Sequence, residues 1–383
     1  MERAITAFSR RRPARPLICE HQARVRNSIR ACGCLALGLF LFSCSSHPPL
    51  SRETSPGEES ALPLAYTIVC IIHGDSGYLF HDPDGNDYRA DEEALAGAQK
   101  VAQQNAQAEV FIFHEKHRRH FLLVFPRQDG EFYYYRNGRL LAHESYWRDQ
   151  GQSRFDPEVV LYNRFRAKEG LRPMRLFLYF GHEIPEIGGK GYDASYRDRA
   201  FIVNDLVDGL KHLTSDSTKF DLIVLSSCFN GTPHTISALT PYARYIMASP
   251  GNLHLSYFDL RPFEALDAGL RSGDVSAFAK ECAQVSFDRL AKEIQTEITV
   301  AVYDVDRVQG FLHSVDSVYD HALSTLQENA PTSIEYCDCA EDSAYVWPAM
   351  SEGVDVLFRS ARFGRSAHKQ NHSGWGCPEI PKQ

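Results

Sequence analysis

Two apolar runs of strand length each empty into a reactive side chain: Met174–Phe180 leads through Gly181 to His182, and Phe220–Leu225 leads through Ser226-Ser227 to Cys228. One helix-like segment, Phe201–His212, separates them. Apolar strands alternating with helices predict an α/β fold whose mostly parallel sheet is covered on both faces. In such a sheet the carboxyl ends of the strands open onto the crevice where ligands bind. A histidine and a cysteine at two neighbouring ends are the minimum for an activated thiolate nucleophile.

The chain has 383 residues, 43% of them hydrophobic and 23% charged, enough for a substantial core. Residues up to Arg30 carry eight arginines, and the apolar run Leu35–Phe42 follows. That run is shorter than the roughly 20 residues needed to span a bilayer. It reads as an export signal over residues 1–43, with a start near Val25 giving a more ordinary basic region. Leu41-Phe42-Ser43-Cys44 has the form of a bacterial lipobox, which implies acylation of Cys44 and a membrane-anchored lipoprotein of the cell envelope. Residues 44–64 are Ser/Pro/Glu-rich and read as a tether. Without residues 1–43, which hold eight arginines and two glutamates, the net charge of −8 becomes −14. So acidic a chain argues against nucleic acid as a partner.

The folded domain is expected over residues 65–330. Tyr66–Ile72 and Glu109–Phe113 read as strands, with a helix from Glu92 to Asn105 between them and Asp91 as its N-cap. Phe121–Phe125 and Glu131–Tyr135 read as short antiparallel strands, and Asn137-Gly138 is a hairpin signal before Leu140-Leu141. A helix follows Pro157. After Cys228 come a helix near Ile236, a strand at Tyr245–Ala248, helices at Phe263–Leu270 and Ala277–Ile294, a strand at Thr299–Tyr303, and a long helix capped by Asp304. Residues 331–383 read as an irregular extension bearing Cys and His.

The segment Leu222–Gly231 and the following Ala238-Leu239-Thr240-Pro241-Tyr242-Ala243-Arg244-Tyr245-Ile246-Met247-Ala248-Ser249 resemble the clostripain-like cysteine peptidases of the caspase-type fold. Leu176–His182 is similar to the strand bearing that family's histidine, and Val300–Asp304 to its late strand-Asp-helix segment. The resemblance implies a three-layer αβα sandwich with a small antiparallel hairpin insertion, and a cysteine endopeptidase acting on peptide or protein substrates without a cofactor. It makes Cys228 the nucleophile and His182 its base, with the Cys228 N–H in an oxyanion hole. Gly181, Glu183, Ser227, Asp75 and Asp259 are then candidates for the pocket or the oxyanion hole.

Two departures stand out. Glu183 follows the histidine where the family has glycine, and Ser226 stands where the family has an aspartate two residues before the cysteine, so cleavage after Arg or Lys is not carried over. His73-Gly74 after the first strand is a rival base. The alternative reading is an inactive caspase-like scaffold. Processing between the His and Cys segments is common in the family, which marks Lys190, Arg197 and Arg199 in the glycine-rich stretch 188–199 as self-cleavage positions on an exposed loop.

Cys337, Cys339, His368, His372 and Cys377 have donor types that bind zinc, but their spacing fits no standard site. Outside the cytosol a disulfide such as Cys339–Cys377 is favoured instead, and no metal is expected. Asp82–Asp87 lacks the register of a calcium loop and reads as a polar turn.

Overall fold

The computed structural model describes residues 63–76, 79–81, 87–121, 125–150, 154–167, 173–214, 218–253, 257–266, 274–329 and 334–379. The expected export signal, Cys44 and the Asp82–Asn86 part of the polar turn lie outside them. Among the described residues nine strands form one sheet. They are β1 (Tyr66–Gly74), β2 (Ala108–Lys116), β3 (Gly130–Arg136), β4 (Arg139–Tyr146), β5 (Met174–Phe180), β6 (Phe220–Ser226), β7 (Ala243–Ala248), β8 (Ile298–Asp304) and β9 (Val354–Arg359). Their spatial order is β9-β8-β7-β6-β5-β1-β2-β3-β4. The central strands β7, β6, β5, β1 and β2 are parallel, and each edge is finished by two antiparallel strands.

Strand parity builds the layers. Val69, Ile71, Phe177, Tyr179, Ile223 and Leu225 point into one core, while Ile68, Cys70, Leu176, Leu178, Leu222 and Val224 point into the other. Both sets are buried, so these strands read as continuous apolar runs rather than as alternating ones. The helices are α1 (Ala90–Gln104), α2 (Asp156–Phe165), α3 (Val203–Leu213), α4 (Pro233–Leu239), α5 (Val275–Glu293) and α6 (Val305–Asn329). Helices α1 and α5 cover one face, and α2, α3, α4 and α6 cover the other. This is the expected three-layer α/β sandwich. The expected antiparallel hairpin is β3–β4, which extends the main sheet. Its turn residues Asn137 (φ 52°) and Gly138 (φ 75°) adopt the left-handed backbone that a type I′ turn requires.

Several local expectations are corrected. Helix α1 starts at Ala90, and Asp91 does not cap it; its buried carboxylate instead meets His114 Nε2 at 2.9 Å and Arg89. Phe121 and Phe125 belong to two different short strands, His120–Phe121 and Phe125–Pro126, paired with each other. At Phe263 the chain makes a short 3₁₀ turn, Arg261–Ala265, where Pro262 sits in the first turn; residues 267–270 lie outside the described set.

The largest correction concerns the C-terminal segment. Val354–Arg359 pairs with β8 as the sheet's edge strand, and Ser60–Gln383 forms one compact unit. Trp375 is fully buried, packs on Tyr303 and Phe311, and donates its indole N–H to the Met350 carbonyl at 2.8 Å. The expected Cys339–Cys377 disulfide is present, next to a ribbon in which Tyr336–Asp338 pairs with Gly376–Pro378. A crosslink closing a loop of this length contributes about 4 kcal/mol in the chain-entropy account. It fastens the segment where local apolar content is low.

Candidate active site

Proceeding from β1, the chain adds β2 on one side and later β5, β6 and β7 on the other, so the sheet changes direction between β1 and β5. The carboxyl ends of β1, β5 and β6 meet at this switch point, the usual place for a ligand crevice. Phe180 and Ser226 are paired in register across β5 and β6. His182 and Cys228 each stand two residues beyond that pair. Gly181 between them and the sheet has to lack a side chain: a Cβ there would lie 2.6 Å from the Tyr179 hydroxyl and 3.1 Å from the His73 Cβ.

Asn230 joins the two loops. Its Oδ1 accepts from the Ile184 N–H at 3.0 Å and the Ser227 hydroxyl at 2.6 Å, and its Nδ2 donates to the Ile184 carbonyl at 3.0 Å. Ser227 is thus a buried positioner of the loop rather than a pocket wall. Ser226 is likewise spent, accepting from the Phe258 N–H at 2.7 Å. Phe229, directly after Cys228, has φ 51°, a left-handed backbone uncommon for a residue with a side chain. Its ring stacks on Tyr336 of the disulfide-tied ribbon, 5.5 Å between centroids. Strain of this kind, on the order of 1 kcal/mol, persists only where surrounding contacts impose it.

Cys228 is half-buried and packs against the core on the α1/α5 face. Its Sγ lies 3.3 Å from Asn252 Oδ1 and accepts the Leu253 N–H at 3.3 Å. Burial, followed by the neighbouring His73, pulls the His182 imidazole down to about 4, so it is neutral and able to accept a proton at neutral pH. Burial, followed by Glu186, pushes the Glu183 carboxyl up to about 8. Glu183 therefore places little negative charge beside His182 at neutral pH.

The rival His73 sits differently. Val69 and Ile71 face the α2–α4 and α6 side, and His73, two residues further along β1, faces the same side, away from the core on which Cys228 packs. Its ring stacks on Tyr192 at 4.5 Å, and its Nε2 shares a 2.6 Å hydrogen bond with Asp193 Oδ1. Burial, helped by Arg148 and Arg154, pulls it down to about 3.

Asp75 and Asp259, expected as pocket acids, are both already paired. Asp75 is fully buried and accepts from Arg148 Nη1 at 2.8 Å and from the Ser195 hydroxyl at 2.7 Å, with His117 Nδ1 at 3.0 Å. Arg148 also reaches Glu115 Oε2 at 3.0 Å and Asp193 Oδ1 at 2.6 Å, and Arg154 pairs with Asp193. Asp259 is held by Arg261 through Nε at 2.9 Å and Nη2 at 2.6 Å.

Among the described residues, His73, Glu115 and Asp193 are the group whose donor atoms come close enough to share a metal ion. The guanidinium groups of Arg148 and Arg154 already supply the positive charge there, which leaves the donors poorly suited to a dication. The stretch 188–199 is not a free loop, because Tyr192 and Asp193 are buried in this network, while Lys190 and Arg197 remain exposed. Sequence reasoning missed Asn230, Asn252, Arg148 and Asp193. The turn signal Cys228-Phe229-Asn230-Gly231 pointed to the first; the others carry no local mark.

Residues 182–351 match the clostripain family of peptidases, C11. An inactive zymogen C11 protease from Parabacteroides distasonis is similar in structure at 13% identity, covering 82% of this chain and 92% of that one with a TM-score of 0.54. A secreted C11 cysteine protease from Bacteroides thetaiotaomicron is similar at 12% identity, covering 82% and 93%, with a TM-score of 0.54. At such identities the likeness concerns the fold alone. No curated protein matches the chain. Residues 182–351, the Cys228 loop among them, are thus similar in sequence to the clostripain family, and the chain shares the α/β fold of the two solved C11 proteases.

Proposed function

We propose that the chain is a cysteine endopeptidase in which Cys228 is the nucleophile and His182 its base. The observation that carries this reading is the register of β5 and β6, which sets both residues two positions beyond the Phe180–Ser226 pair while Asn230 clamps their loops. His182 takes the thiol proton as Cys228 Sγ attacks the scissile carbonyl, and the tetrahedral oxyanion is met by the Cys228 N–H. The proton then passes from His182 to the leaving amine. Water, deprotonated by His182, hydrolyses the thioester and regenerates the thiol. His73 is not used, since its Nε2 is committed to Asp193 on the other face. A basic P1 side chain is not part of the proposal, because Asp75 and Asp259 are neutralised by arginines.

The test is selective alkylation. At mildly acidic pH, iodoacetamide should modify Cys228 well ahead of Cys70 and Cys282, whose thiols burial pushes far up. A Cys228 no more reactive than Cys337, whose thiol burial raises to about 11, would leave an inactive caspase-like binding protein as the reading.

We also propose anchoring outside the cytoplasm through acylated Cys44. None of the described helices is long and apolar enough to cross a membrane. Radiolabelled fatty acid should mark the wild type and not Cys44→Ala. Equal labelling of both would remove the anchor.

A further inference from the structure

The turn after β7 packs against the loop after β6 at the one place where both touch sulfur. Ser249 is fully buried, and its hydroxyl lies 2.8 Å from the Thr299 carbonyl while accepting the Gly251 N–H at 3.1 Å. The Phe229 N–H donates to the Gly251 carbonyl at 3.1 Å, and the Gly231 N–H to the Ser249 carbonyl at 2.9 Å. These bonds bracket Cys228 and lock the two segments together. On that frame the Leu253 N–H points at Cys228 Sγ, and the Asn252 amide lies against the same atom.

We infer that the turn Ser249–Leu253 is a thiolate cradle, in which the Leu253 N–H and the Asn252 amide stabilise the ionised Cys228. This deepens the peptidase reading and rests on it for its purpose, but its test does not require peptide hydrolysis. In the thiol state the Cys228 S–H donates to Asn252 Oδ1. On ionisation a carbonyl oxygen facing S⁻ becomes repulsive, and a half-turn of the amide presents Nδ2–H instead. That exchange moves no backbone. A hydrogen bond offered to the charged form favours that form, and the Leu253 N–H is in place for it beforehand.

The need for such support follows from the base. A neutral His182, with its proton affinity held down by burial, does not by itself draw the thiol proton off at rest. Among the described residues, another titratable group whose charge is felt by the thiol is Tyr257, which brings no positive charge. Tyr257 is half-buried, and desolvation pushes its phenol well up.

The experiment follows the rate of Cys228 alkylation by iodoacetamide against pH, from about 5 to 10, by peptide mass on the full chain. Wild type is compared with Asn252→Leu, Asn252→Asp and Asn252→Gln, each checked for an unchanged melting temperature. Wild-type Cys228 should titrate below the ordinary thiol value of about 8.5. Asn252→Leu should move the midpoint up by about one unit, a tenfold loss of thiolate at fixed pH below it. Asn252→Asp should move it further, because a carboxylate faces the thiolate, and Asn252→Gln should restore most of the shift. The cradle is overturned if Asn252→Leu and Asn252→Asp both follow the wild-type profile, or if wild-type Cys228 titrates as an ordinary thiol. Shifted profiles in a protein that hydrolyses no peptide would keep the cradle and remove the peptidase reading.

Discussion

Cys228→Ala is expected to lower kcat/KM for a peptide substrate by on the order of 10⁴-fold or more, about 5.5 kcal/mol of transition-state stabilisation. The methyl group leaves strand β6 and the Asn230 clamp in place, so KM should change little and the melting temperature hardly at all. His182→Ala should cost a similar factor, and the double variant should be no worse than the worse single one, because nucleophile and base act as a unit. The pH profile separates His182 from His73. Burial holds His182 down to about 4, so the acid limb of kcat/KM should fall near pH 4 rather than near the ordinary histidine value. His73→Asn should keep that limb and move it only slightly up, because burial is the first cause that holds His182 down and His73 the second. Full activity in Cys228→Ala would remove the mechanism. An acid limb lost in His73→Asn and kept in His182→Asn would transfer the role of base to His73.

Arg148→Met should destabilise the fold by about 3–5 kcal/mol, the range for breaking a buried ion pair by removing one partner. Arg148 is 4% exposed, and its two terminal nitrogens reach Asp75, Glu115 and Asp193. Without it three buried carboxylates crowd one another, and Arg154, on Asp193, is the remaining cation in contact with them. Lysine should not rescue, because a single ammonium does not span the fork that serves three acids. The denaturant midpoint should fall with little change in slope. The same change frees the buried Tyr192-Asp193 anchor, so trypsin should cut after Lys190, Arg197 or Arg199 in the variant well before it cuts the wild type. A loss below about 1 kcal/mol would mean that the cluster stabilises little beyond its cost of desolvation.

The two strand ends before His182 and Cys228 were legible because each run has a strand character that is local. Five apolar or aromatic residues in a row, Leu176–Phe180, and four, Leu222–Leu225, favour a short buried parallel strand in each case. The hairpin at Asn137-Gly138 was legible for the same reason, since only certain residues tolerate its backbone. The Cys339–Cys377 disulfide was favoured over metal binding by the expected compartment, while the sequence left the role of Cys337 open. The edge strand Val354–Arg359 was not legible. It is short and only half-buried, and it lies in a segment whose glycines and histidines mask the alternation.

By itself, the sequence determined the order of strands and helices, the α/β class, and the two strand ends that carry sulfur and imidazole, since backbone sterics and hydrophobic periodicity act over a few residues. Tertiary structure alone decided that Asp75 is held by Arg148, that Tyr192-Asp193 pins an otherwise exposed loop, and that Asn252 and Leu253 meet the sulfur. These are pairings between residues 24 to 120 positions apart, as for Cys228 with Asn252 and His73 with Asp193. A charge or an amide leaves no periodic trace of its partner along the chain, and its partner is chosen only when packing brings the two into a shared low-dielectric interior.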